Sequence, residues 1–335
     1  MSETDEKRET LGEISEAEIL SRVFPRLPVS AHELLGPGDD AAVISAPDGR
    51  YVVTTDMMVE GPDFRTDWSS PFQIGYKAAA INLADVAAMG AVPTALVVAL
   101  GAPAHAGVSD LEQIADGLRA ACDELAPGCG VVGGDLSSAP ALVLSITAHG
   151  DLESREPLTR SGARAGDIVA VAGELGAAGL GLDLLFARGI EAHAEFATVL
   201  DAQLQPRPHI GLGRVAARSA ATAAMDVSDG LALDATRMAR ASEVRIDLSS
   251  ELLSAFVGAL RDAAPGISAS DDELLDYVLY SGESHALLVC FSPQASIPAG
   301  FAPIGVVTGL TGDEPGVFLD GAPLDARGWH PFQTG

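Results

Sequence analysis

Six aspartates stand where a carboxylate could hold a cation: Asp40, Asp56, Asp85, Asp135, Asp226 and Asp229. Asp40 closes Gly36-Pro37-Gly38-Asp39-Asp40, a tight turn able to aim paired carboxylates at an ion, although the same residues suit an ordinary solvated turn. Asp56 follows Thr54 and Thr55 at what reads as a strand end. That group offers only the hard oxygen ligands Mg²⁺ prefers, or it is simply a strand terminus. Asp135 follows Gly133-Gly134, where absent side chains let the backbone approach a ligand closely. Asp226-Val227-Ser228-Asp229-Gly230 joins a strand to a helix. Its amides and the helix dipole would make an anion site with two carboxylates bracketing a hydroxyl, and Ser228 or Asp229 would serve equally as an ordinary N-cap. Each motif alone is weak. Several carboxylate-bearing turns at strand ends together point to metal-ion chemistry.

Placing these groups requires alternating strands and helices. Ser70-Pro71 predicts an N-cap with proline at the first helical position, opening a helix over 71–89 that Gly90 ends. On it Ile74, Ala78, Ile81, Asp85 and Ala88 share one stripe, which would put Asp85 on a buried apolar face. A buried carboxylate costs several kcal/mol unless paired or metal-bound, and Lys77 is about two turns away. A β-rich segment covers 51–55, an apolar strand 94–100, and Ser109 with Glu112 predicts a capped helix to about 125. Strands at 130–133 and 141–149 follow, then a polar crossover at about 153–166. Beyond it the pattern gives strands at 167–172, 222–226, 244–248, 285–291 and 304–307, with helices at 176–188 and 231–241. The class is α/β or α+β in two domains, 13–150 and 151–335, after a disordered tail at 1–12.

Composition narrows the function. Lys+Arg 20 against Asp+Glu 47 leaves a formal charge of -27, which repels nucleic acid and anionic membrane alike. A phosphate substrate would be repelled too unless bound cations invert the local field. Cys122, Cys129 and Cys290 form no CxxC pair and suit a reducing cytoplasm, and the polar N-terminus has no signal-peptide core. The uncharged stretch between Asp85 and Asp110 is broken by Gly90, Pro93, Gly101 and Pro103, so it reads as core and not as a membrane span. Gly173, Gly176 and Gly179 follow a strand but are spaced GxxGxxG, unlike a dinucleotide fingerprint. No HExxH, GxSxG or GxxxxGK[ST] pattern is present.

In order and spacing, GPGDDAAV (36–43), TTDMMVEG (54–61), YKAAAINLADVAAMGAVP (76–93), VVGGDL (131–136), LTRSGARAGD (158–167) and MDVSDGLALD (225–234) resemble thiamine-monophosphate kinases. These belong to the superfamily of aminoimidazole ribonucleotide synthetase. The resemblance implies a two-domain PurM-like fold, cytoplasmic, with a homodimer formed through the N-terminal domains. It implies ATP-dependent phosphorylation of thiamine monophosphate to thiamine diphosphate. Asp40, Thr54, Thr55, Asp56, Asp85, Asp135, Asp226 and Asp229 match Mg²⁺ ligands, with Asp226 and Asp229 central to catalysis. Gly134, Asp135, Arg160 and Ser228 match ATP contacts, and Arg160 offers a planar fork suited to phosphate. Glu283 and Trp329 match positions at the thiamine moiety.

Two departures fall on the acceptor side. Asp63 replaces a substrate-contacting histidine, and Ser284 replaces an acidic residue beside Glu283. They leave room for a paralogue that acts on another small phosphate or lacks kinase activity. Two siblings fit poorly. Selenophosphate synthetase needs an early reactive cysteine, and the hydrogenase maturation protein ends in a cysteine, whereas this chain ends HPFQTG.

Overall fold

The computed structural model describes residues 10, 13, 16–35, 43–310 and 314–329. The turn at 36–40 with Asp40, and nearly all of the 1–12 tail, lie outside the described residues. The chain divides into two compact units. The first takes Met1–Ala46, Val53–Asn82 and Thr94–His149; the second takes Pro47–Val52, Leu83–Pro93 and Gly150–Gly335.

In the first unit, α1 (Glu16–Val23) precedes a short β1 (Glu33–Leu35) and β2 (Val43–Ile44) pair. Along the chain next come β3 (Val52–Val59), α2 (Pro71–Ala88), β4 (Val92–Ala102), α3 (Val108–Leu125), β5 (Gly130–Ser138) and β6 (Val143–Asp151), most of whose residues belong to this unit, while the stretch Leu83–Pro93 counts with the second. The sheet order is β3-β6-β4-β5, with β4 and β5 parallel. The expected cap on α2 is present: Ser70 and Gln73 exchange side-chain-to-backbone bonds at 2.9 and 3.3 Å. The α3 box is displaced, with Gly107 at the N-cap and Asp110 accepting its N–H at 3.3 Å, in place of Ser109 and Glu112. β6 alternates strictly, burying Leu144, Ile146 and Ala148. Helices α2 and α3 touch backbone to backbone, since a Cβ on Gly117 would stand 2.0 Å from the carbonyl oxygen of Phe72.

The second unit holds β7 (Ile168–Ala172), α4 (Ala177–Arg188), α5 (His193–Leu204), α6 (Ile210–Ala217), β8 (Ala221–Val227), α7 (Leu231–Ser242) and β9 (Arg245–Leu248). It continues with α8 (Ser250–Ala263), α9 (Asp271–Tyr280), β10 (Ala286–Phe291), β11 (Ala302–Thr308), β12 (Gly316–Leu319) and β13 (Ala322–Pro323). The sheet runs β13-β12-β9-β11-β7-β10-β8. β10 is buried along its whole length and pairs antiparallel with both β7 and β8. A strand covered on both faces reads as an unbroken apolar run, which is how LLVCF announces it. Among the described residues no helix is long and apolar enough to cross a membrane.

Candidate functional site

The Asp226–Gly230 turn leaves the end of β8, a sheet-edge strand whose ladder neighbour is β10. Asp226 is buried, and Nδ1 of His285 stands 3.7 Å from its Oδ2, too long for a hydrogen bond. The segment before β10 zips onto the turn: the Glu283 N–H donates to the Ser228 carbonyl at 2.7 Å, and the His285 N–H to that of Val227 at 2.8 Å. Glu283 and His285 both adopt left-handed backbone, with φ of 63° and 46°. Such strain costs about 1–2 kcal/mol per residue and gathers at functional sites. From the other side, the Trp329 N–H donates to the Asp229 carbonyl at 2.9 Å.

The expected anion site on this turn is taken from within. The amides of Ser228 and Asp229 donate to Asp234 Oδ2 at 3.1 and 2.9 Å, and Gly230, not Ser228 or Asp229, is the N-cap of α7. Asp234 is wholly buried. Burial drives its carboxyl up to about 6 against the pull of the Asp229 amide, with Asp226 adding to the rise and Arg237 opposing it. Arg237 bridges Asp234 and Asp229. Reading the sequence missed both residues. The i, i+3 spacing of Asp234 and Arg237 in a helix's first turns was the available signal.

Beside the turn, Glu283 lines a cavity of about 410 Å³ with Glu174, Asp201, Arg207, His209 and Ser284. Its carboxylate accepts from Gln203 Nε2 at 3.1 Å, a contact no motif announced. Arg160 is exposed and anchored through its carbonyl, which accepts from Ser242 Oγ at 2.7 Å. Its neighbour Thr159 accepts from the Ala224 N–H at 3.0 Å, which sets this segment along β8 two residues ahead of Asp226.

In the first unit, Asp56 lies within β3 and not at its end. It is exposed, and its N–H donates to Asn82 Oδ1 at 3.1 Å. Alternation puts Thr54 and Asp56 on one face and Thr55 on the other. The Thr55 hydroxyl donates to the Ile146 carbonyl at 2.9 Å, so the two threonine hydroxyls do not converge with Asp56 as a single ligand group. Asp135 is exposed on β5, with Ser137 Oγ donating to it at 2.7 Å. Gly134 presses against β4, where a Cβ would meet the Val98 carbonyl oxygen at 2.0 Å. Gly134 and Asp135 border an apolar cavity of about 140 Å³ lined also by Phe24, Leu27, Val98 and Leu118.

One further expectation changes, and it concerns Asp85. Helix α2 is buried nearly all round, and Asp85 stands with Ile81 and Met89 on its half-open line, not on a buried stripe. Asp63 closes the turn after β3: its Oδ2 accepts the Val59 N–H at 2.8 Å, and its own N–H returns a bond to Val59 at 3.1 Å. Among the described residues no three His, Cys, Asp or Glu side chains already converge as a metal site.

The fold and its acidic turns define a class: residues 38–152 match the family described as AIR synthase related protein, N-terminal domain. Thiamine-monophosphate kinase of Mycobacterium tuberculosis is 44% identical over 96% of this chain and 93% of its own length. That of Corynebacterium glutamicum is 38% identical over 96% and 95%. The chain belongs to the thiamine-monophosphate kinase family. Among solved structures, thiamine monophosphate kinase from Aquifex aeolicus superposes with TM-score 0.73 at 31% identity, covering 84% of this chain and 91% of that one. The complex of AaThiL with AMPPCP and TMP gives TM-score 0.74 at 30% identity, covering 87% and 90%.

Proposed function

We propose that this chain transfers the γ-phosphoryl group of ATP to thiamine monophosphate, giving thiamine diphosphate, and that Mg²⁺ is held by Asp40, Thr54, Asp56, Asp85, Asp135, Asp226 and Asp229. The observation that carries the reading is the zipping of Glu283 and Trp329 onto the Asp226–Gly230 turn through backbone bonds of 2.7 and 2.9 Å. It sets the residues assigned to the thiamine moiety beside those assigned to metal and nucleotide. The donor set fits the ion, being all oxygen, with no thiolate or imidazole to favour a softer metal. Mg²⁺, when bound, neutralises phosphate charge that a chain of net charge -27 would repel.

The chain's own residues do the rest. Gly134 and Asp135 edge an apolar cavity suited to a nucleotide base, and Arg160 is exposed for a phosphate. Glu174, Asp201 and Glu283 outnumber Arg207 in the larger cavity, whose acidity suits the cationic ring of thiamine. The acceptor phosphate needs no general base, because a monoester's second pKa is about 6. Catalysis then rests on aligning two mutually repelling anions. The bond that the Asp63 carboxylate accepts from the Val59 N–H gives it a turn-forming role, which accounts for it without a changed acceptor. Residues 13–150 would serve nucleotide binding and dimerisation. Exposed Val53, Thr55 and Met57 share one face of edge strand β3 and support a homodimer. Three buried free cysteines agree with work in the cytoplasm.

Asp226→Asn tests the assignment through coupled ADP release with and without thiamine monophosphate. Turnover should vanish while the thermal midpoint holds; full activity in that variant would sink the metal assignment.

A further inference from the structure

The turn that carries Asp229 holds a cation of its own. Arg237 Nη1 stands 2.5 Å from Asp229 Oδ2 and 2.6 Å from Asp234 Oδ1, so one guanidinium nitrogen bridges two carboxylates. Asp234 cannot yield: it is wholly buried, and its other oxygen is spent on the amides of Ser228 and Asp229. Asp229 can. Its side chain is 21% exposed and that of Arg237 36%, so an ion can approach the carboxylate that Arg237 occupies.

We propose that Arg237 is a resident counter-cation for Asp229, a positioning residue that holds the carboxylate when no ion is bound and competes with the ion for it. This rests on reading Asp229 as an ion ligand. An ion settling on Asp229 must share a carboxylate whose Oδ2 is already bonded to a positive group, and like charges on one carboxylate repel. The Asp229 ion therefore binds weakly to the nucleotide-free protein. Nucleotide phosphates restore the negative charge that Arg237 has neutralised, so ion uptake follows nucleotide. A bond that only braced the fold would stabilise the turn without altering ion affinity in this direction.

Mn²⁺ titration of the full chain by electron paramagnetic resonance, without nucleotide, separates the two. Arg237→Gln should tighten the weakest Mn²⁺ site by about tenfold or more, and the gain should disappear in the double variant with Asp229→Asn. Gln keeps a donor for Asp234; should the variant still fail to fold, Arg237→Lys serves. Its single ammonium on a shorter stem stays with buried Asp234 and loosens Asp229, so about a threefold tightening is expected. Unchanged or weaker Mn²⁺ binding in a folded Arg237 variant overturns the proposal. Should Asp229→Asn alone leave Mn²⁺ binding untouched, the ion-ligand reading of Asp229 fails, and the proposal with it. Loss of Mn²⁺ binding in Asp229→Asn without gain in the Arg237 variants refutes the counter-cation alone.

Discussion

Gly134→Ala should uncouple β5 from β4 and, with it, disturb the nucleotide contacts proposed for Gly134 and Asp135. In the parallel ladder Gly134 pairs with Val98, and an added Cβ would stand 2.0 Å from the Val98 carbonyl oxygen and 3.0 Å from its carbon. Carbon–oxygen contacts run about 3.3 Å or longer, so the strands must part locally by more than about 1 Å. Ladder bonds of about 2.9 Å then stretch to about 4 Å, beyond hydrogen-bonding range. Losing two or three of them, at about 0.5–1.5 kcal/mol each, predicts a cost of about 1–4.5 kcal/mol. Neither neighbour is a flexible side chain that could swing aside, since both contacts are backbone. Asp135 is the next residue along, so its carboxylate shifts with the strand. Urea denaturation reads the stability loss, and calorimetric titration with AMPPCP reads the nucleotide site. An alanine variant within about 0.5 kcal/mol of the parent, binding AMPPCP equally well, would refute the idea that backbone contact fixes this strand.

Elsewhere the same substitution should help. Gly258 lies exposed in α8 with nothing within 4 Å of an added Cβ, so Gly258→Ala should gain about 0.5–1 kcal/mol in a urea melt; no gain would count against intrinsic helix propensity as the deciding term there. Asp234 gives a pH signature in metal-free protein. Burial raises its folded value to about 6 from 3.8, so the folded state holds that proton more tightly than the unfolded chain. The resulting stability is full below about 3.8 and is lost as pH climbs through about 6, a contribution on the order of 3 kcal/mol. Asp234→Asn should remove this component between pH 4 and 7 in urea melts with a chelator present. Identical slopes for variant and parent would show that the carboxyl stays ionised throughout.

Much of the architecture could be read because one physical signal dominated locally. Ser70-Pro71 and Gln73 open α2 by capping geometry alone, and LLVCF is apolar because β10 is covered on both faces. Where two signals compete, the reading slips. Asp56 looked like a strand end because a charged residue breaks an apolar run, yet an exposed position on an edge strand tolerates it. The stripe through Asp85 misleads because periodicity finds a face only when another face is wet, and α2 has almost none. Helix α9 opens on Ser270 and Glu273, a full capping box legible in the sequence alone. The Asp234–Arg237 pair and the bond from Gln203 to Glu283 depend on tertiary approach. Only the first left a trace in local spacing.

The pairing order of the second sheet also governs when the site can exist during synthesis. β8 finds its ladder partner in β10, about sixty residues later, and its closing turn is completed by Glu283 and then by Trp329. A ribosome that has released β8 but not β10 presents a largely apolar strand, Ala223 to Val227, without its ladder partner. During that interval the nascent chain exposes both an aggregation-prone edge and an unfinished acidic turn. The long-range pairing that assembles the site so late also makes it slow to form, since loop closure must be completed before those contacts repay it. Truncations that remove the last strands should therefore abolish the ion binding proposed for Asp226 and Asp229 even though both aspartates remain in the chain.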